Sequence, residues 1–255
     1  HGKGDGRFPE ARVFETGANE WRTFDRWPPK EATPRNLYLQ NSGRLSFDAP
    51  NGNGAPYDSY VSDPANPVPY APRVGSDWQT WLEEDQRFVA GRADVRSWRS
   101  DPLTDDLTIA GDVIAHLFAS TAGTDADWVV KLIDVFPDSM PERPSMAGYE
   151  LMVNADIMRG RYWRSFGSAT PIPANTVTPF AVDMHQQLYR FRKGHRLMVQ
   201  VQSSWFPLYD RNPQTFVANI FRAKPGDFQK REHRVWHTRR YPSHVTLPVL
   251  PARTP

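Results

Sequence analysis

Residues 194–211 read GHRLMVQVQSSWFPLYDR, and this stretch contains the clearest indication of the fold. From Leu197 to Gln202 apolar side chains alternate with longer or polar ones. A period of two predicts a β-strand with one buried face, because successive side chains point to opposite faces of a sheet. The strand then meets Pro207, whose missing N–H ends a β-ladder. Aromatic and charged residues follow in a loop, and scaffolds often present functional groups in this way.

The same pattern recurs along the chain, with Gly and Pro between the segments and hardly any helical periodicity. We predict strands at 11–16, 36–40, 44–47, 95–99, 107–120, 128–136, 148–157, 180–191, 234–238 and 245–250. The nearly continuous apolar run at 128–136 is typical of a strand that is covered on both faces. Short strands at this spacing predict an all-β fold with two packed sheets, a β-sandwich.

The segments between the strands are expected to be long and irregular. We expect little regular structure at 48–76, a short helical turn at 76–88, and a strand or turn at 216–221. Residues 1–10 are Gly-rich and polar, and are interpreted as the remnant of a linker. Residues 11–255 are predicted to form one domain that begins with a long irregular N-terminal arm.

Composition excludes several classes of function. The 31 basic and 29 acidic residues give a formal charge of +2, which provides no argument for a nucleic-acid partner. No apolar run approaches the ~20 residues of a membrane span, so no membrane partner is expected. The absence of cysteine excludes disulfides, thiolate metal sites and a cysteine nucleophile. The cellular compartment is left open.

Local motifs of hydrolases, nucleotide-binding proteins and zinc enzymes are absent, including G-x-S-x-G and H-E-x-x-H. We therefore predict no catalytic residue, metal or cofactor in this chain. His195 could act as a base near Asp210, but we favour the interpretation that it is a turn residue at the start of a strand. His233 and His237 lie four apart in a predicted strand, which separates them by ~13 Å and disfavours a shared metal.

Two pairs of charged residues have alternative explanations. Asp125 and Asp127 could form an Asp-x-Asp calcium site, but a hairpin turn accounts for them as well. Lys131 and Asp134 interrupt the most apolar strand on opposite faces. Charges in such a strand should be paired or should lie at an edge.

A further candidate site combines aromatic and charged side chains near a long loop. Trp78 and Trp81 would share one face of a helical turn, and Asp85, Arg87 and Arg92 follow closely. Such a set could line a ligand pocket. A small hydrophobic cluster beneath a loop, or a surface on which sugars stack, would explain the same residues.

Read together, six segments resemble one family. They are PEARVFETGANEWRTFDRWPP (9–29), DSYVSDPANPVPY (58–70), EDQRFVAGRADV (84–95), AGTDADWVVKLIDVFPD (122–138), MRGRYWRSF (158–166) and GHRLMVQVQSSWFPLYDRNPQT (194–215). They are similar, in the same order, to the C-terminal domain of the serine hydrolases that include α-amino-acid ester hydrolases, glutaryl/cephalosporin acylases, cocaine esterase and X-Pro dipeptidyl-peptidases.

The resemblance implies a jelly-roll β-sandwich of galactose-binding-like type, which follows an α/β-hydrolase domain in the family. The Ser-His-Asp triad of the family lies in the α/β domain, and its motifs are absent here. This chain is therefore expected to be inactive alone, as part of a parent enzyme acting on α-amino-acid esters, acyl amides or X-Pro peptides. The resemblance is compatible with a periplasmic or secreted protein.

The resemblance also suggests roles for particular residues. A loop at about 70–86, with Trp78 and Trp81, would help to wall the acyl pocket of the catalytic domain. The surface that docks on that domain would contain Trp205, Phe206, Asp210 and Arg211. The expected partners are the catalytic domain of the same polypeptide and, in a homo-oligomer, a second copy. A carbohydrate-binding module and a purely structural oligomerisation domain are the alternatives.

Overall fold

The structure, a computed structural model, describes residues 8–73 and 80–252. Within these ranges, the strands are β1 (Ala11–Glu15), β2 (Glu20–Phe24), β3 (Thr33–Gln40), β4 (Arg44–Ser46), β5 (Tyr57–Ser62), β6 (Arg96–Arg99), β7 (Leu107–Thr121), β8 (Asp127–Val135), β9 (Glu150–Arg159), β10 (Thr178–Phe191), β11 (Arg196–Gln202), β12 (Arg231–Trp236) and β13 (His244–Val249). Helical structure in the described ranges is confined to short 3-10 turns, and none of these could cross a membrane.

The first layer of the fold is built around β7, the longest strand. β10 pairs with β7 along one edge, and β13 and then β12 pair with it along the other. β3 lies beside β13, and β5 lies beside β12. All of these pairings are antiparallel, as expected for a sandwich made of hairpins and longer connections.

The second layer has the order β6-β11-β8-β9. The two layers are joined through β4, which pairs with β3 and also touches β6 in parallel where Arg44 lies opposite Arg99. On the other side the Nδ2 of Asn154 in β9 donates to the carbonyl of Met184 in β10, at 2.8 Å. The all-β sandwich predicted from the sequence is therefore confirmed.

The main core lies between the layers. It draws apolar side chains from both, including Leu37, Val113 and Leu247 of the first layer and Leu132 and Val199 of the second. All five are fully buried. Burial of one such side chain contributes about 1.5 to 3 kcal/mol, so the alternation seen in the sequence is the main source of stability.

The outer face of the second layer is also covered. All nine residues of β8 are buried, as predicted. For β11 the expectation of one buried face was wrong, because Met198 and Gln200 on the other face are at most 1% exposed. Residues 80–95 lie over this face, where the backbone of Asp85 forms an isolated antiparallel β-bridge with Leu151 of β9.

Two other expectations need correction, those for segment 48–76 and for the N-terminal arm. The segment 48–76 contains β5, a strand too short and too mixed in polarity to be recognised from its period. For the segment 216–221, predicted to be a strand or a turn, the structure has the turn, a 3-10 turn at Ile220–Arg222. The N-terminal arm is not irregular, because β1 and β2 form a hairpin. Part of the predicted turn at 76–88 lies outside the described residues, and its remainder forms 3-10 turns at Thr80–Leu82 and Gln86–Val89.

The N-terminal hairpin is attached to β10. The amide of Thr16 donates to the carbonyl of Leu188, and the amide of Arg190 donates to the carbonyl of Thr16. Gly17 has φ +86°, and a Cβ at this position would lie 2.2 Å from the carbonyl oxygen of Arg190. Glycine therefore permits both the backbone conformation and the close approach.

Candidate functional site

The structure brings together two residues that the sequence had assigned to different surfaces. The rings of Trp81 and Trp205 meet edge to face, with centroids 5.4 Å apart. Tyr70 packs against the edge of Trp81 at 5.9 Å, and Tyr209 stacks on Trp205 at 6.0 Å. These four residues form what we call the aromatic cluster. Trp78 lies outside the described residues.

Lys131 lies beneath the aromatic cluster. Its Nζ donates to Oε1 of Gln86 at 2.7 Å and lies 5.3 Å from the centre of the Trp205 ring. No carboxylate of the described residues forms an ion pair with it, and burial lowers the pKa of Lys131 to about 7. Gln200 lies directly across from Lys131 on β11, and both of its side-chain amide atoms are buried without a partner in the described structure.

The segment that carries Trp81 is fastened to the sandwich. Oδ1 of Asp85 accepts from the amide of Arg87 at 3.1 Å and from the amide of Glu150 in β9 at 3.2 Å. The Arg87 guanidinium forms an ion pair with Asp85, and Arg92 pairs with Asp94. These charges, which were predicted to line a pocket, fix the segment in place. Trp81 is thereby held at a defined position, partly exposed, with Leu82 beside it 49% exposed.

The loop after β11 was predicted to be a docking surface, and its residues differ in exposure. Trp205 is only 3% exposed because Trp81 and Tyr209 cover it, so its ring is not part of a surface. Phe206 is 37% exposed, and Asp210 and Arg211 are exposed.

Arg211 holds this loop in shape. Its Nη1 donates to the carbonyl of Pro64 at 2.8 Å. Its guanidinium also lies 5.6 Å from the ring centre of Phe206 and 5.2 Å from that of Phe228. Trp205 therefore anchors a loop whose exposed part consists of Phe206 and the residues that follow it.

His195 pairs with a different carboxylate from the one that we expected. Its Nδ1 lies 2.9 and 3.1 Å from the two carboxylate oxygens of Asp134, and Asp210 is not its partner. The Tyr189 hydroxyl donates to Oδ2 of the same aspartate at 2.8 Å. The expectation that Asp134 would be paired is confirmed. The signal in the sequence was an acidic residue inside an apolar strand.

The two aspartates of the proposed calcium pair are occupied by other side chains. Oδ2 of Asp125 accepts from Nε and Nη2 of Arg161 at 2.9 and 2.6 Å. Asp127 accepts from Nδ2 of Asn212 at 2.8 Å and lies 3.4 Å from Nη1 of Arg159. Burial raises the pKa of Asp127 to about 7. Both carboxylates therefore act as buried structural acceptors.

His233 and His237 have separate partners. Nε2 of His233 lies 2.6 Å from the side-chain oxygen of Gln214, and burial lowers the pKa of His233 to about 3. Nε2 of His237 lies 3.1 Å from a carboxylate oxygen of Asp58. In the part of the chain that the structure describes, no three histidine, aspartate or glutamate side chains come together as metal ligands would.

Comparisons with known proteins relate this arrangement to one family. The profile of the family described as the X-Pro dipeptidyl-peptidase C-terminal non-catalytic domain matches residues 5–246. Cocaine esterase of Rhodococcus sp. (strain MB1 Bresler) is 33% identical over 253 residues, which cover 95% of this chain and 42% of the esterase.

Two solved structures are similar throughout the fold. An aminopeptidase from the marine sediment archaeon Thaumarchaeota archaeon superposes with a TM-score of 0.92 and 49% identity, over 95% of this chain and 41% of the aminopeptidase. An α-amino acid ester hydrolase superposes with a TM-score of 0.91 and 50% identity, over 93% of this chain and 40% of the hydrolase. The chain thus spans about two fifths of the length of these relatives.

Proposed function

Because the chain belongs to the family of X-Pro dipeptidyl-peptidase C-terminal non-catalytic domains, we propose that it serves as the β-sandwich of a longer serine hydrolase. The hydrolase would act on α-amino-acid esters, acyl amides or X-Pro peptides. The resemblance inferred from the six sequence segments is confirmed by this membership. The observation that carries the proposal is the match over nearly the whole chain to about two fifths of three named hydrolytic enzymes.

The chemistry would take place outside this chain. In a serine hydrolase a serine attacks the ester or amide carbonyl, a histidine transfers the proton, and backbone donors stabilise the oxyanion. The 255 residues contain no G-x-S-x-G elbow. The role of the chain is therefore to pack against the catalytic domain and to complete the wall of its acyl pocket.

Trp81 is the residue that we assign to the pocket wall. It is partly exposed, and the contacts of Asp85 and Gln86 hold its segment against the second layer. A fixed aromatic ring can select acyl groups by shape, since a pocket discriminates through contacts that are already in place.

The loop after β11 is the surface that we assign to docking. Phe206 and Leu208 are 37% and 39% exposed, and Asp210 and Arg211 place charges beside them. An apolar centre with a charged rim is typical of interfaces between domains. The buried anchor Trp205 gives this loop a fixed shape before docking, which lowers the entropic cost of association.

The first test uses the chain alone. We expect no turnover of p-nitrophenyl esters of α-amino acids above the buffer rate, and no labelling by a fluorophosphonate that reacts with activated serines. The longer enzyme should show both. Turnover by the purified chain that the fluorophosphonate abolishes would contradict the assignment of catalysis to another domain.

The second test concerns Trp81 in the longer polypeptide. Trp81→Ala should change the ratio of kcat/KM between a small and a large acyl ester. It should also lower stability by about 1 to 3 kcal/mol, because two edge contacts are lost. Trp81→Phe retains an edge on Trp205 and should separate the two effects, and Leu82→Ala is the matched exposed control. An unchanged selectivity ratio in both Trp81 variants would exclude a role in the pocket wall.

A further inference from the structure

A cleft of about 700 Å³ opens beside the N-terminal hairpin. The turn after β1, the end of β8, the segment 140–146 and the β10–β11 connection line it. An adjoining groove of about 400 Å³ shares Thr16, Met146 and Leu151 with it and continues along the apolar residues of β9. The cleft thus has a polar floor and an apolar extension.

The floor contains the pair of Asp134 and His195. Asp134 is 1% exposed and accepts hydrogen bonds from Tyr189 and from Nδ1 of His195. Because the carboxylate can only accept, Nδ1 carries the proton of this bond. The Phe136 ring packs on the imidazole with centroids 4.5 Å apart and fixes its plane.

The other nitrogen of this imidazole is available to a ligand. His195 is 95% buried and lines the cleft, yet Nε2 forms no hydrogen bond within the described structure and is not fully enclosed by protein. A buried polar side chain normally has its groups satisfied. An oriented imidazole with one free nitrogen at the floor of a cleft is therefore a preorganised contact for a polar group.

Arg192 brings a positive charge to the lining of the same cleft. Its Nε and Nη2 donate to the carbonyl of Gly17, at 2.8 and 2.6 Å, and no carboxylate of the described residues pairs with it. Arg190, by contrast, is paired with Glu15 and Glu20.

The remaining charged residues of the cleft limit the net charge that a ligand can carry. Glu83 and Glu142 line the walls together with Arg143. Two wall carboxylates disfavour a polyanion, while the floor favours one negative charge. None of the described residues that line the cleft is a serine or cysteine.

We propose that this cleft binds a monocarboxylate that has an apolar body. The carboxylate lies between Nε2 of His195 and the Arg192 guanidinium, and the apolar body extends along Met146 and Leu151. Since a carboxylate only accepts hydrogen bonds, Nε2 must carry a proton in the complex.

The test uses the 255-residue chain with sodium phenylacetate as the probe and phenylacetamide as its uncharged match. Phenylacetate should shift the Nε2 resonance of His195 in nitrogen-detected NMR spectra at about pH 6. The amide should bind more weakly than phenylacetate by at least about tenfold. His195→Gln and Arg192→Gln should each weaken phenylacetate binding about tenfold or more. His116→Gln, a histidine outside the cleft, should leave the affinity unchanged.

Several results would overturn the proposal. These are equal affinity for phenylacetate and phenylacetamide, binding that neither cleft variant weakens, or no shift of His195 Nε2 at saturating phenylacetate. The NMR readout on the unmodified chain and the exposed Arg192 variant keep the test valid should His195→Gln not fold. In a longer polypeptide, the carboxylate of an aspartate or glutamate side chain would be an alternative occupant of the cleft. Phenylacetate would then shift His195 in this chain but not in the longer enzyme, which supports the site and identifies its occupant.

Discussion

Replacing Lys131 with methionine should remove a large part of the pH dependence of stability. Burial lowers the pKa of Lys131 from 10.5 to about 7. Between these two values the unfolded chain keeps the proton and the folded chain has released it. The free energy of unfolding therefore rises with pH across this window. Below about pH 7 both states are protonated, and the folded state carries the full cost of burying an ammonium group.

The magnitude follows from the size of the shift. About 3.5 pKa units at 1.36 kcal/mol each correspond to about 5 kcal/mol of added stability between pH 7 and 10.5. Methionine has a similar length and no charge, so the Lys131→Met chain should lack this rise. At high pH the variant should be less stable than the unmodified chain by about 1 to 3 kcal/mol, because Gln86 loses its hydrogen bond.

Urea unfolding followed by tryptophan fluorescence, at intervals from pH 6 to pH 10.5, measures both effects. Lys30→Met is the matched control, since Lys30 is exposed, and its pH profile should follow that of the unmodified chain. Other titrating groups are common to all three proteins, so the difference between profiles isolates Lys131. Profiles of Lys131→Met and the unmodified chain that run parallel within about 1 kcal/mol would refute the reasoning.

Three further substitutions test other parts of the structure by urea unfolding. Arg161→Met should cost about 3 to 5 kcal/mol, because it leaves the Asp125 carboxylate buried and unpaired. Asp127 has its pKa raised from 3.8 to about 7, so stability is lost as the pH rises through this range, and Asp127→Asn should remove a loss of about 4 kcal/mol. Gly17→Ala should cost about 2 kcal/mol or more and expose the N-terminal hairpin to proteases, because its Cβ would meet the carbonyl of Arg190.

Each of these substitutions has an exposed counterpart. Arg164→Met, Asp138→Asn and Gly91→Ala should each change stability by less than about 1 kcal/mol. Equal losses in Arg161→Met and Arg164→Met would argue against a buried pair. A pH profile of Asp127→Asn that keeps its fall between pH 4 and 7 would assign that fall to other groups. A Gly17→Ala chain as stable and protease-resistant as Gly91→Ala would show that the hairpin can move away.

Most strands could be predicted from the sequence because their signal is local, whereas β2 and β5 were missed. Alternation between neighbours in β11 and the apolar run of β8 are each visible within ten residues. The partner of His195 could not be predicted in this way. The pairing register of β11 with β8 brings His195 to Asp134, 61 positions earlier in the chain. A period of two gives the face of a strand but not its register.

The candidate site was harder to predict than the strands, because its contacts join residues that are distant in sequence. Trp81 was recognised as a candidate, but its packing against Trp205 joins a loop to a strand end. The exposure of Trp205 was misjudged because aromatic residues after a strand usually reach the surface. Here residues 80–95 return over the outer face of the second layer, and only the folded chain shows which rings they cover.

The edge-to-face contact of Trp81 with Trp205 has a consequence for protein engineering. A library that varies Trp81 alone will select for folding as strongly as for substrate preference, since many replacements uncover a buried ring and the lysine below it. Leu82 and Glu83 are exposed neighbours on the same segment and can be varied more freely. The selectivity of a Trp81 variant can therefore be compared with that of a Leu82 variant only when the two variants are equally stable.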